Sequence, residues 1–230
     1  YYFKSIGLVS AGVFFKDIKN VNVETIGYYK GSEIGLAGND DLFTVEQNLN
    51  AYDARVLGVE AAFQRDFGFI APALKCIGVY ANYTYTHSTI TTTKREYKEG
   101  SAEYKTGVTQ TRPLVNQAPH TANLSLLYKD TNYGWNAQLA ASYTGTKLAL
   151  VSPFKDADQW DKAMFGLDFS MEKKFPCGVS VFLKANNLLD AKRERYLKTV
   201  NQSNLEYEGQ RSDKTIVGTY KYGRTFLIGV

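Results

Sequence analysis

The feature that most constrains the fold of this chain is a recurring alternation of apolar and polar residues. From Trp135 to Tyr143, apolar residues take every second position, and Asn136, Gln138 and Ser142 fall between them. A period of two is typical of a β-strand with one apolar face. No helical pattern of useful length competes, so the sequence predicts an all-β chain. The alternating segments lie at about residues 5–15, 53–65, 76–90, 118–129, 134–150, 160–174, 178–189 and 219–230.

The connections between these eight segments alternate in length along the chain. The short ones lie at 66–75, 130–133 and 175–177, and the long ones at 16–52, 91–117, 151–159 and 190–218. Outer-membrane β-barrels have this pattern, with short periplasmic turns and long extracellular loops. The segments run to about 11–17 residues, whereas a strand of a soluble protein has about 5–6. We therefore predict an antiparallel transmembrane β-barrel whose long connections are extracellular.

The composition agrees with a β-sheet in a membrane. The 230 residues include 17 Tyr and 13 Phe, and 44% are hydrophobic, which excludes wholesale disorder. No apolar run approaches the about 18 residues of a transmembrane helix, whereas a barrel strand needs about 9–11. The net charge of +4 is mild and evenly spread, so it does not indicate nucleic-acid binding. Aromatic residues predict two interfacial bands, with Tyr133, Trp135 and Phe175 near short turns and Tyr143 and Trp160 near long connections.

Five short motifs resemble those of TonB-dependent receptors, and they follow one another in that family's order. They are GVFFKDIKN at 12–20, RVLGVEAAF at 55–63, NQAPHTANLSLLY at 116–128, NNLLD at 186–190 and YGRTFLIGV at 222–230. In character they are similar to receptors of Bacteroidetes-like bacteria. The resemblance implies a 22-stranded barrel with a plug inside, of which residues 1–230 supply the last eight or so strands. The plug domain is expected to lie outside this sequence, which begins without an initiator Met.

The same resemblance implies a function and partners. The chain would belong to a multi-pass protein of the Gram-negative outer membrane that actively takes up a scarce nutrient, such as an iron chelate, haem, cobalamin or a glycan. The implied partners are outer-membrane lipid, lipopolysaccharide, the TonB energy transducer and a surface lipoprotein. Neither an enzyme activity nor a cofactor is expected.

Two other interpretations remain open from the residues alone. Eight strands suffice to close a small barrel with a structural, adhesive or enzymatic role. A soluble β-sandwich that binds a ligand would also show one-sided alternation. Ser125, Ser142 and Ser170 on the polar face favour a wide, hydrated interior over a small packed barrel.

Residues that could contact a substrate cluster in and beside the long connections. Two histidines end neighbouring strands and could coordinate haem or a metal, although a structural or interfacial role is favoured. Mixed basic and aromatic residues suit an anionic or aromatic ligand or lipopolysaccharide, but a simple solvated loop is the favoured interpretation. The candidates are His87, His120, Lys94, Arg95, Tyr97, Arg193, Arg195, Tyr196 and Arg211.

The two cysteines are expected to remain free thiols. Cys76 and Cys177 fall near short turns on the third and seventh predicted strands. Four strand spacings of about 4.8 Å separate them by roughly 19 Å. A disulfide requires Cα atoms within about 7 Å.

Overall fold

The fold is a set of antiparallel strands joined mainly as hairpins. The structure, a computed structural model, describes residues 2–3, 7–39, 41–97, 104–197 and 215–230. Two 3₁₀ helices, Gly31–Ile34 and Pro72–Leu74, lie between strands. The strands are β1 (Tyr2–Phe3), β2 (Gly7–Lys30), β3 (Leu42–Asp66), β4 (Ile77–Tyr97), β5 (Tyr104–Arg112), β6 (His120–Asp130), β7 (Trp135–Thr144), β8 (Lys147–Leu150), β9 (Gln159–Asp161), β10 (Met164–Lys174), β11 (Ser180–Asn186), β12 (Lys192–Leu197), β13 (Thr215–Lys221) and β14 (Thr225–Gly229).

The strands form two sheets. The main sheet has ten strands in the order β1-β2-β3-β4-β6-β7-β10-β11-β14, with β5 added to β4, and the small sheet has the order β13-β12-β9-β8. Each predicted segment overlaps one strand of the main sheet, and the all-β, antiparallel prediction is confirmed. Within the described residues no ladder joins β14 to β1 or β2, so the main sheet is open. Closure into a 22-stranded barrel stays a prediction.

The main sheet has one apolar and one polar face, because its register aligns the alternation of every strand. One row of neighbours on the apolar face runs through Leu126, Leu139, Phe169, Ala185 and Phe226. Much of this face is uncovered, with Leu126 47% and Phe226 65% exposed. An exposed apolar surface of this extent is normally covered by another molecule, and in a membrane lipid covers it.

The opposite face is held together by polar side chains. Asn123 donates from Nδ2 to Asn82 Oδ1 at 2.9 Å, and Gln138 donates from Nε2 to Ser125 Oγ at 3.0 Å. Both bonds join neighbouring strands. The polar residues of the alternation therefore add cross-strand hydrogen bonds to the backbone ladder.

The long connections differ from the expected loops. Strands β2 and β3 stay paired as far as Lys30 and Leu42, and β4 and β5 form a hairpin reaching Tyr97 and Tyr104. The connection at 190–218 contributes two further strands, β12 and β13. The prediction of loops is wrong for these parts, which are paired strands whose backbone N–H and C=O groups bond to one another. β-branched runs such as Thr91–Thr93 also suit strands.

Three predicted strands are each split in two. The segment 134–150 breaks after Thr144 at Gly145, whose N–H donates to His120 O at 2.8 Å, and 219–230 breaks at Gly223, where φ is +73°. The segment 160–174 divides between Asp161 and Met164. In each case the first or last few residues join the small sheet. At the first break the two-residue period shifts by one position, from odd residues up to Tyr143 to even residues at Leu148 and Leu150, so the sequence shows this change of sheet only as a change of phase.

The NNLLD motif begins at the last residue of β11 and continues as a turn. Asn187 has a left-handed φ of 54°, and its N–H donates to Asp168 Oδ1 at 2.8 Å. Its side-chain Nδ2 donates to Gly223 O at 2.8 Å, and its Oδ1 accepts from the Ala191 N–H at 2.8 Å. Arg224 Nε donates to Leu188 O at 2.9 Å. The motif thus ties β10 and β11 to the segment that leads into β14.

Candidate ligand-binding site at the long-connection end

An aromatic band crosses the apolar face near the long connections. His120 lies beside Tyr85 in the register, with ring centroids 5.1 Å apart, and its Nδ1 is 2.7 Å from the Tyr83 hydroxyl. His87 lies on the same face of β4, opposite Leu57 of β3. Both histidines therefore lie among apolar and tyrosine side chains, not on the polar face. Their position agrees with an interfacial role.

A second band lies near the short turns. Lys173 Nζ is 4.8 Å from the centroid of Trp135 and 5.7 Å from that of Phe175, and it also donates to Tyr133 O. On β7, Trp135 and Tyr143 are eight residues apart, about 27 Å along a strand. A tilt of about 40° reduces this to about 20 Å across the membrane, close to the about 25 Å apolar band of outer-membrane barrels.

Trp160 does not lie on the main sheet, where the sequence had suggested an interfacial position. It is in β9, where it pairs with Leu148 of β8 and Tyr196 of β12. The reason is the division of the predicted strand 160–174 into β9 and β10. Trp160 therefore forms part of the small sheet.

A compact unit occupies the long-connection end, and we call it the long-end assembly. It comprises the small sheet, residues 145–158, β5 and the ends of β3 and β4 at about 42–56 and 88–97. The segment 145–158 is fixed to β4 by backbone hydrogen bonds, from Arg95 N to Pro153 O at 2.9 Å and from Lys155 N to Arg95 O at 2.8 Å. Its buried apolar residues are Ala54, Val56, Ile90, Leu148 and Tyr196.

A buried ion pair joins β4 to the segment 145–158. Lys94 Nζ lies 2.5 Å from Asp158 Oδ1, and the two side chains are 2% and 6% exposed. The same oxygen accepts the Ser152 N–H at 2.8 Å. Burial lowers the pKa of Lys94 from its ordinary value, although the hydrogen bond that Lys94 donates to Asp158 opposes the change. Lys94 is therefore held inside the assembly and not displayed on a loop.

A second buried cation, Arg112, lies at the end of β5. The residue is 5% exposed, and burial lowers the pKa of its guanidinium. Its Nη1 donates to Pro113 O at 3.3 Å, but its buried Nε has no hydrogen-bond partner. A cavity of about 220 Å³ adjoins it, and the lining includes Tyr52, Thr92, Lys94, Arg95, Arg112 and Ser152.

A third cluster crosses the small sheet. The Asp161 carboxylate is 3% exposed and binds Arg193 Nη2 at 2.8 Å and Arg195 Nε at 3.0 Å. Burial alone would raise the pKa of Asp161, but the hydrogen bonds from Arg195 and Arg193 outweigh it and lower the pKa overall. Both arginines also face the ring of Tyr220, at 5.6 and 5.9 Å. This cluster holds β9, β12 and β13 together.

The sequence candidates therefore fall into separate places. Lys94 and Arg95 line the cavity, whereas Arg193 and Arg195 bind Asp161. Tyr196 is only 7% exposed. Tyr97 is the last residue of β4, and Arg211 lies outside the described residues.

Sequence reasoning missed three buried charged residues, Arg112, Asp158 and Asp161. Asp161 directly follows Trp160 at a strand end, and Arg112 directly precedes Pro113. The residues around each position are like those around an ordinary solvent-exposed charged residue. Their burial depends on the packing of segments that are distant in sequence.

Two further observations concern the whole chain. No helix among the described residues is long and apolar enough to cross a membrane. The described part of the chain also contains no cluster of three or more His, Cys, Asp or Glu residues that could hold a metal ion.

Comparison with known proteins identifies the family. The sequence model described as the TonB dependent receptor-like β-barrel matches residues 1–188 of the 230. No curated protein and no solved structure matches the chain. The matched region covers β1 to β11 and the start of the NNLLD turn, and the pairing of β14 with β11 continues the same sheet beyond it. The chain belongs to the TonB-dependent receptor-like β-barrel family.

Proposed function

We propose that this chain forms part of the wall and the extracellular portion of an outer-membrane receptor that actively imports a scarce nutrient. Members of the family are transporters and not enzymes, and they reside in the bacterial outer membrane. The observation that carries the proposal is the exposed apolar face of the main sheet between its two aromatic bands. Transmembrane barrel strands present such a face to lipid.

The nutrient classes that the proposal covers are an iron chelate, haem, cobalamin and a glycan. Energy would come from TonB, which would act on a plug domain of the receptor. Lipopolysaccharide would surround the aromatic band near the long connections, and a surface lipoprotein is a further candidate partner. The long-end assembly would then face the exterior, where a substrate first arrives.

The two open edges of the main sheet support a wall that is completed by other strands. In a membrane, an unpaired backbone N–H or C=O costs several kcal/mol. A small barrel closed by these strands alone would instead pair β14 with β2. Cysteines replacing Val9 and Phe226 should therefore fail to form a disulfide in the membrane-inserted protein. Efficient cross-linking would favour the small closed barrel.

Labelling of cysteines in whole cells tests the orientation. Native Cys177 is exposed in a short turn, and Leu36, which is 46% exposed, follows the 3₁₀ helix between β2 and β3. A membrane-impermeant maleimide should label Leu36→Cys in intact cells and leave the wild-type cysteines unlabelled. Permeabilising the outer membrane should then expose Cys177. Labelling of Cys177 in intact wild-type cells would reverse the proposed topology.

Uptake assays test the transport itself. Cells that produce the full-length protein containing this chain should accumulate one of the four radiolabelled nutrient classes, and cells lacking the gene should not. Accumulation should also stop when TonB is removed. Uptake that persists without TonB would contradict active transport by this protein.

A further inference from the structure

We propose that the cavity beside Lys94 and Arg112 is a binding site for one anionic group, a carboxylate, phosphate or sulfate. Binding of this group depends only on the long-end assembly. Its assignment to the imported nutrient, as an acidic substituent of that molecule, rests on the proposed function.

The charges around the cavity are unbalanced. Its described lining includes the buried cations Lys94 and Arg112 and no carboxylate. The nearby Asp158 uses one oxygen for both Lys94 and the Ser152 N–H. Together Lys94, Arg112 and Asp158 carry one surplus positive charge, and each of these residues is at most 5% exposed. A buried charge without a partner is costly, and a bound anion would remove that cost.

Unused hydrogen-bond donors accompany the surplus charge. The Nε of Arg112 and the hydroxyl of Thr92 are buried and have no hydrogen-bond partner. Buried polar groups in folded proteins are nearly always paired, so each orphan needs an explanation. A guanidinium presents its donors in a fork that matches the oxygens of a carboxylate, phosphate or sulfate. One anion could therefore use both the charge and the free donors.

The shape of the site limits the size of the group. At about 220 Å³ the cavity is smaller than the pockets of about 300–1,000 Å³ that enclose whole ligands. It therefore suits an acidic substituent whose remaining atoms extend outside. Thr92 and Lys94 continue the polar face of β4, on which Asn82 also lies, and this face is opposite to the lipid-facing one. Lipopolysaccharide on the outer surface is therefore the less suitable source of the anion.

Direct binding to the purified full-length protein in detergent tests the site. Titration calorimetry with sodium sulfate, phosphate and acetate at constant ionic strength should detect saturable binding of at least one anion. Arg112→Gln should weaken that binding about tenfold or more, because a charge-assisted hydrogen bond is lost. Lys105→Gln is the matched control, since it removes the same charge from an exposed position on the same strand and should leave binding unchanged.

Hydrogen exchange of the wild-type protein covers the case in which Arg112→Gln misfolds. The bound anion should slow exchange in residues 92–95 and 152–158 and leave β10 unaffected. Absence of both saturable binding and this protection would overturn the inference, whatever the result of the uptake assays. Equal weakening by Lys105→Gln and Arg112→Gln would also overturn it, because the effect would then be general surface electrostatics.

Competition and uptake decide the source of the anion. Addition of lipopolysaccharide micelles should not displace bound sulfate, and displacement would assign the site to the lipid. In cells, Arg112→Gln should raise the KM for the imported nutrient, while Lys105→Gln should not. If the wild-type protein binds the anion but wild-type cells show no TonB-dependent uptake, the proposed function is refuted and the cavity assignment stands.

Discussion

The main sheet and the long-end assembly are built from strands of one chain but are stabilised by different means. Between the aromatic bands, the main sheet is one layer thick, and its apolar residues are largely exposed. The long-end assembly has an interior, and it contains all the buried non-glycine residues of the described chain except Ser125 and Ala185. The first region leaves its apolar face uncovered, whereas the second buries an interior as a small folded domain does.

This difference teaches where charge can be placed. On the main sheet, polar residues stay on one face and form cross-strand hydrogen bonds such as that between Asn82 and Asn123. In the long-end assembly, charges are buried and matched, as Asp161 is with Arg193 and Arg195. Replacing an apolar residue should therefore reduce stability most in the main sheet, whereas replacing a charged residue should reduce it most in the long-end assembly.

The largest effect is expected for a charge on the lipid side of the wall. Leu139 lies midway between Trp135 and Tyr143 on β7, so Leu139→Arg should destabilise the membrane-inserted protein by about 2–4 kcal/mol. Gln138→Arg, on the polar face, should cost only about 1 kcal/mol through its lost bond to Ser125. Denaturant unfolding in lipid vesicles measures both. Equal costs would show that the faces have been assigned wrongly.

The next effect concerns the buried carboxylate of the assembly. Asp161→Ala leaves Arg193 and Arg195 without their carboxylate partner, and the expected loss is about 2–3 kcal/mol because Arg193 remains partly hydrated. Hydrogen exchange should accelerate in β9 and β12 and stay unchanged in β7 and β10. Glu194→Gln, which removes the partly exposed partner of Lys162, is the control in the same sheet. Acceleration throughout the main sheet would mean that the two regions unfold as one.

A steric change in the wall should have a smaller effect. Gly58 lies under the Phe14 ring, and a Cβ there would clash with that ring and come 2.6 Å from Tyr85 O. Gly58→Ala should cost about 1–2 kcal/mol in vesicle unfolding, since overpacking displaces the ring. Adding Phe14→Leu should recover part of the loss. Gly12→Ala, whose Cβ would meet only the flexible side chain of Glu60, should be nearly neutral, and an equal cost there would contradict the packing argument.

The smallest effect is a pH dependence confined to the assembly. Because the arginines lower the pKa of Asp161 below 3.8, its ionised form contributes stability that is present above that value. This contribution is lost as the pH falls through the lowered pKa. Exchange in β9 and β12 should therefore differ between the wild type and Asp161→Asn at pH 7 and 5, and the difference should shrink at pH 3. A constant difference down to pH 3 would exclude the ion pair as its origin.

The sequence by itself determined most of the wall. Alternation around Leu139 or Val59 is a local property, and the register of the structure places all such residues on one face. The motifs identified the family, which its sequence model confirms over residues 1–188. Both cysteines are also free, as the spacing of their strands predicts. These features are predictable because each strand carries its own two-residue period, whatever its neighbours are.

Only the tertiary structure decided the long-end assembly. Lys94 and Asp158 are 64 residues apart, and Asp161 is 32 and 34 residues from its two arginines. With 27 basic and 23 acidic residues in the chain, sequence spacing cannot select such pairs. Nor can it show that Arg112 is buried while Lys105 on the same strand is exposed. Which charges leave water depends on how distant segments pack, because burial and pairing must occur together for the energy to balance.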